Sequence, residues 1–139
     1  MDRIINFFPD DRRNQLLMDL SLNTRAFIAQ QLIPTPDGKS RVLSAEIMIN
    51  SPLMADLIRK GEVHKMKSLM AKSRNMGMQT FDQSLFDLYK QGSITYEDAI
   101  NYADSANELR LMIKLGDSKG AGADSLAASL DGVTIQETE

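Results

Sequence analysis

Helix start and stop signals crowd the stretch from Ser51 to Arg110, and their density restricts the fold more than any other feature. Ser51 can cap a helix with Pro52 at its first position, and Gly61 stands where a left-handed C-terminal residue belongs. Gly92 ends a second such unit, and Thr95 opens another with Asp98 three residues on. Ser105 and Glu108 have capping-box spacing, in which each side chain satisfies the other's orphan backbone donor. This spacing predicts four or five short helices. Leu53 with Leu57, Met54 with Ile58, and Val63 with Met66 and Met70 form apolar rows at helical spacing. Phe81, Leu85, Leu88 and Tyr89 form another stripe, as do Tyr96, Ala99, Ile100 and Ala103. Helices this short are marginal alone in water, so their stripes must pack on one another or on a partner.

The N-terminal fifty residues read differently. Asp2 to Phe8 is a short apolar segment expected to be helical, and Pro9 with Asp10 and Asp11 suits a helix start. Leu16, Leu17 and Leu20 would form that helix's inner face, and a second helical stretch is expected from about Thr24 through Ala29. The turn cluster from Pro34 to Gly38 precedes the clearest strand, Arg41 to Ile49. Leu43, Ala45, Ile47 and Ile49 share one face of it; Val42, Ser44, Glu46 and Met48 share the other. Paired with Gln31 to Ile33, it makes a hairpin. A lone hairpin is marginal in water, so these strands are expected to complete a larger sheet.

Gly38-Lys39-Ser40 imitates the end of a phosphate-binding loop. That loop needs a glycine five positions earlier, where Ile33 stands, and it must lead into a helix rather than a strand. A hairpin turn is the better reading. His64 is the only histidine and there is no cysteine, so a structural zinc site has no ligand set and thiol catalysis no nucleophile. Asp10 and Asp11 could hold magnesium, but a helix N-terminus explains them more simply. Met66, Met70, Met76 and Met78 could line an adaptable surface, although their spacing suits a core. No apolar run approaches the roughly 18 residues of a membrane span, and the net charge of −3 argues against nucleic acid as a partner. The last 23 residues, from Asp117, hold five acids against one lysine. With Gly116 they read as a disordered acidic tail, 116–139.

The string G-M-Q-T-F-D-Q-S-L-F-D-L-Y from Gly77, with L-I-R-K-G-E-V-H-K-M-K before it and A-D-S-A-N-E-L-R-L-M-I-K-L after it, resembles the C-terminal region of the type IV pilus retraction ATPases. These are the twitching-motility motors of the PilT/PilU family, within the secretion ATPase superfamily, and the resemblance spans roughly Asp2 to Leu115. It implies an α+β, predominantly helical fold: the C-terminal part of a RecA-like ATPase domain, with one β-hairpin and a helical array. Residues 1–50 would then trail from the RecA-like core, and 51–115 would form a C-terminal helical subdomain.

At full length, such proteins are cytoplasmic hexameric rings at the pilus base, peripheral to the inner membrane. They bind ATP with magnesium and draw pilin out through an inner-membrane platform protein, and a PilU-like motor works alongside a PilT-like one. A family segment of the form A-I-R-N-L-I-R-E couples hydrolysis to pilus disassembly. Here the matching residues read L-M-A-D-L-I-R-K, so Leu57, Ile58 and Arg59 are shared, while Ala55 and Lys60 depart from the pattern. Leu57, Ile58, Arg59 and Lys60 are therefore the motor-coupling candidates. The family's Walker A, Walker B, Asp box and His box have no counterpart in these 139 residues. No catalytic, cofactor or metal residue is assigned, and the chain alone is expected not to hydrolyse ATP. A free-standing helical interaction module is the alternative.

Overall fold

The computed structural model describes residues 2–116. The predicted tail, 116–139, lies outside them except for Gly116, which is helical. Two helices, α1 (Asp2–Ile5) and α2 (Asp10–Asn23), lead into the strands β1 (Ala26–Pro34) and β2 (Arg41–Ile49). Four helices follow: α3 (Pro52–Lys60), α4 (Val63–Lys72), α5 (Phe81–Lys90) and α6 (Tyr96–Tyr102), with a 3₁₀ turn at Arg74–Met76. A further helix, α7, covers 106–116. The fold class is thus the expected one, mostly helical with one hairpin.

The helix punctuation does what its chemistry dictates. The Ser51 hydroxyl accepts the Met54 N–H, and Gly61 closes α3 at φ 68°. Its N–H bonds the carbonyl of Ile58, and the next N–H, from Glu62, bonds that of Leu57. Thr95 caps α6 through the Asp98 N–H, and Ser105 accepts the Glu108 N–H at the start of α7.

Three expectations fail. Thr24 to Ala29 is not helical: Thr24 ends α2 with extended backbone, and β1 begins at Ala26. Nine residues of β1 pair antiparallel with nine of β2, from Ala26 opposite Ile49 to Pro34 opposite Arg41. Phe27, Ile28, Leu32 and Ile33 fit a helical period locally, but the ladder rewards alternation, and pairing along the whole hairpin wins. The predicted N-terminal helix also stops early, at Ile5 rather than Phe8. On α3 and α6, Leu53 and Tyr96 face solvent although the periodicity put them in apolar stripes.

Two apolar clusters form the core. One joins Met48 of β2 to Met54, Leu57 and Ile58 of α3, Met66 and Met70 of α4, and Met78. The other joins Ile33 of β1 to Leu85, Ile94, Ala99, Leu109 and Ile113. Three of the four singled-out methionines are therefore core; Met76 is exposed. The distribution is lopsided. Of the buried apolar residues described, only Ile33 and Met48 precede Ser51, whereas Phe7, Phe8, Met18, Leu22, Ile28, Leu32 and Leu43 are large apolar residues left exposed there. The hairpin turns Ile33, Ser44 and Met48 inward and leaves Ile28 65%, Leu32 55% and Leu43 49% exposed on its other face.

Candidate coupling site

The four coupling candidates do not lie on one surface. Leu57 and Ile58 are buried in the α3–α4 core, and Ile58 has no exposed area at all. Arg59 and Lys60 occupy the last turn of α3 with their side chains about half exposed. Both reach back to Asp56, at 2.7 and 2.6 Å. This shared pairing holds the Asp56 carboxyl below its usual range, through the Lys60 and then the Arg59 hydrogen bond. The two cations also favour the negative end of the α3 dipole. What this surface offers is a pair of cations tethered to one carboxylate, with Leu57 and Ile58 as the apolar anchor beneath.

A second constellation, not foreseen in the sequence, gathers at the start of α5. The Gln79 backbone bonds Ile47 in both directions, at 2.9 and 3.0 Å, and its side chain donates to the Ala45 carbonyl at 2.8 Å. The Phe81 N–H donates to the Glu46 carboxylate at 3.3 Å, and the Ala45 N–H donates to the Ser84 hydroxyl at 3.2 Å. All these bonds tie Gln79 and the first turn of α5 to β2. Asp82 points the other way: its carboxylate accepts the N–H groups of Asp104 at 2.8 Å and Ser105 at 3.1 Å. The Gln83 amide donates to the Ala71 carbonyl at the end of α4 at 2.9 Å. Thr80 and Gln83 complete a reciprocal capping box that fixes the turn itself.

The electrostatics follow from burial. Asp82 is only 7% exposed, and desolvation pushes its carboxyl up despite the two backbone donors. Glu46 is raised for the same reason, with the Phe81 N–H opposing. Lys67 bridges the region, pairing with Asp104 at 2.7 Å. Burial alone would lower its pKa, but Asp104, with Glu46 and Asp82 nearby, outweighs it and holds the ammonium above its ordinary range. Lys67 lies on the wall between two crevices. One, of about 230 Å³, is lined chiefly by Phe27, Met48, Met66 and Met70; the other, of about 440 Å³, holds Asp82, Asp104 and Glu108.

The remaining sequence features settle locally. Gly38-Lys39-Ser40 is the hairpin turn, with Gly38 at φ 69° and its N–H bonded to the Thr35 carbonyl. His64 is exposed on α4. Asp10 and Asp11 stand exposed in the first turn of α2, where Asp10 pairs with Arg13. Among the described residues, no group of three or more His, Cys, Asp or Glu is placed to hold a metal ion, and no helix is long and apolar enough to cross a membrane. The signal for Thr80 and Gln83 was present as T-x-x-Q before an apolar run. Nothing local marks Asp82, whose partners lie more than twenty residues on.

No protein-family model matches the chain. Over all of its 139 residues it is 58% identical to the type IV pilus ATPase PilU of Pseudomonas aeruginosa, covering 36% of that protein. A twitching motility protein of Neisseria gonorrhoeae is 37% identical over 109 residues, which cover 78% of this chain and 29% of that protein. The chain thus spans about a third of the length of these curated relatives. Among solved structures, the pilus retraction motor PilT with bound ADP superposes at a TM-score of 0.66 with 36% identity, over 78% of this chain and 30% of that one. The Legionella pneumophila ATPase DotB shares the fold at a TM-score of 0.53 and 22% identity, over 70% of this chain and 26% of that one.

Proposed function

Taking as premise that this chain is a PilU/PilT-like pilus ATPase sequence, we propose that it is the C-terminal portion of a pilus retraction motor subunit. Residues 1–50 are the trailing part of a RecA-like core, and 51–115 are its C-terminal helical subdomain. The longer protein is a cytoplasmic hexameric ring at the inner face of the membrane, binding ATP and magnesium and acting with a PilT-like motor and the pilus platform protein. This portion supplies packing and coupling surfaces, with Arg59 and Lys60 presented and Leu57 and Ile58 anchoring them.

One observation carries the reading: the apolar surface is unevenly closed. From Met54 to Ile113 the buried apolar residues close over only Ile33 and Met48 of the hairpin, while Ile28, Leu32 and Leu43 leave an apolar sheet face uncovered. A face like this is what a RecA-like sheet presents where the rest of its domain packs. Phosphoryl transfer needs a phosphate cradle and magnesium ligands, and in this reading the rest of the longer protein supplies them.

The test has two arms. The purified 139-residue chain is assayed for ATP turnover, and turnover above background overturns the reading. This chain then replaces the matching region of the Pseudomonas aeruginosa pilus ATPase, and the chimera should restore twitching to a strain lacking that ATPase. A folded chimera that leaves twitching absent counts against the motor role.

A further inference from the structure

The string Gln79–Ser84 was the most distinctive part of the sequence, yet nothing in the coupling surface on α3 uses it. In the fold it is bonded on both sides. Toward the hairpin it bonds Ala45, Glu46 and Ile47; toward the helical array it bonds Ala71, Asp104 and Ser105. The two sets of partners are separated by more than twenty residues of chain, and the turn is locked by its own capping box. A hydrogen bond to a buried carboxylate is among the stronger contacts a protein makes, and an unpaired partner is costly. One short segment thus carries the contacts to both sides.

We infer that the first turn of α5 is the joint through which movement of the hairpin is passed to the C-terminal helices, with Asp82 and Ser84 as positioning residues on its two sides. The inference rests on the motor reading only for its use; the joint itself is a property of these 115 described residues.

Amide hydrogen exchange on the 139-residue chain decides it. Ser84→Ala removes the acceptor of the Ala45 N–H, on the hairpin side. It should speed exchange of the Asp104 and Ser105 amides by about 5-fold beyond any change at Leu109, which reports global opening. Asp82→Asn should do the reverse, speeding Ala45 and Ile47. Lys67→Ala, which removes a surface pair with Asp104 but leaves the turn intact, should leave Ala45 and Ile47 unchanged. If each substitution speeds only its own side, the joint is refuted. In the chimera, Ser84→Ala should cut twitching while ATP turnover stays within about 2-fold, and equal loss of both would make the turn a mere fold element. A chimera inactive before any substitution speaks against the motor reading, whereas the exchange result on the chain still decides the joint.

Discussion

The Asp82 carboxylate, on α5, holds the backbone N–H of Asp104 at 2.8 Å from 22 residues away. The Ser105 N–H shares the same carboxylate, so one buried side chain stands in for two backbone partners at the entrance to α7. Replacing it with alanine removes the acceptor of both donors and empties a buried site. Asp82→Ala should cost about 2–3 kcal/mol of stability, read as a lower urea midpoint at unchanged slope. Asp82→Asn, which keeps one acceptor, should cost less. Equal midpoints for Asp82→Ala and the unaltered chain would show that the two N–H groups find other partners.

The same burial gives stability an unusual pH dependence. Glu46 and Asp82 have folded pKa values raised above their ordinary 4.5 and 3.8, chiefly by desolvation. Above those folded values each buried charge weighs against the fold. As pH falls through them, the folded state takes up protons that the unfolded state does not yet bind, and stability rises. Asp37 and Asp56 act in the opposite sense, since their pKa values are lowered by hydrogen bonds, first from Thr35 and from Lys60 respectively. Their contribution is present above 3.8 and is lost as pH drops below it through their folded values. Lys67, raised above 10.5, keeps its contribution until strongly alkaline pH. Urea melts from pH 7 downward should therefore gain stability before losing it, and Glu46→Gln should flatten the gain. A Glu46→Gln chain with the same acid rise as the parent would place its origin elsewhere.

Exposed apolar residues on the hairpin should govern how the isolated chain behaves. Ile28 and Leu32 stand on one face of β1, with Leu43 directly opposite Leu32 on β2. Changing all three to threonine puts β-branched side chains at each position while removing apolar surface that is already wet. The triple variant should lose self-association in sedimentation, with a stability change under about 1 kcal/mol. A collapse of the urea midpoint would mean that this face is packed in solution.

Legibility divides along the range of the interactions. The caps at Ser51, Gly61 and Thr95 were readable because each is settled within four residues, by a hydroxyl or by a left-handed glycine. β2 was readable from alternation alone. β1 was not, because Phe27, Ile28, Leu32 and Ile33 satisfy two periods, and only the partner strand chooses between them. The coupling candidates were found by resemblance to a linear segment, and a linear segment does not say which residues face inward. Asp82 and Glu46 were missed for a related reason. A carboxylate looks solvated in the sequence until the fold brings backbone N–H groups from elsewhere to meet it.

The division within Leu57–Lys60 can be separated by experiment. Ile58 is wholly buried between Met54 and the α4 methionines, so Ile58→Ala should cost about 3 kcal/mol through lost contacts and a residual cavity. Any loss of twitching in that variant reports unfolding. Arg59 and Lys60 are half exposed and share one acceptor, so removing either leaves Asp56 still paired. Arg59→Ala and Lys60→Ala should each change the stability read from urea melts by less than about 0.5 kcal/mol. In the chimera with the Pseudomonas aeruginosa ATPase, loss of twitching by Arg59→Ala at full stability and normal ATP turnover would assign the coupling role to the cation. Twitching that survives both alanine substitutions would leave α3 as an ordinary amphipathic helix, its Arg59 and Lys60 serving only to neutralise Asp56 and the helix end.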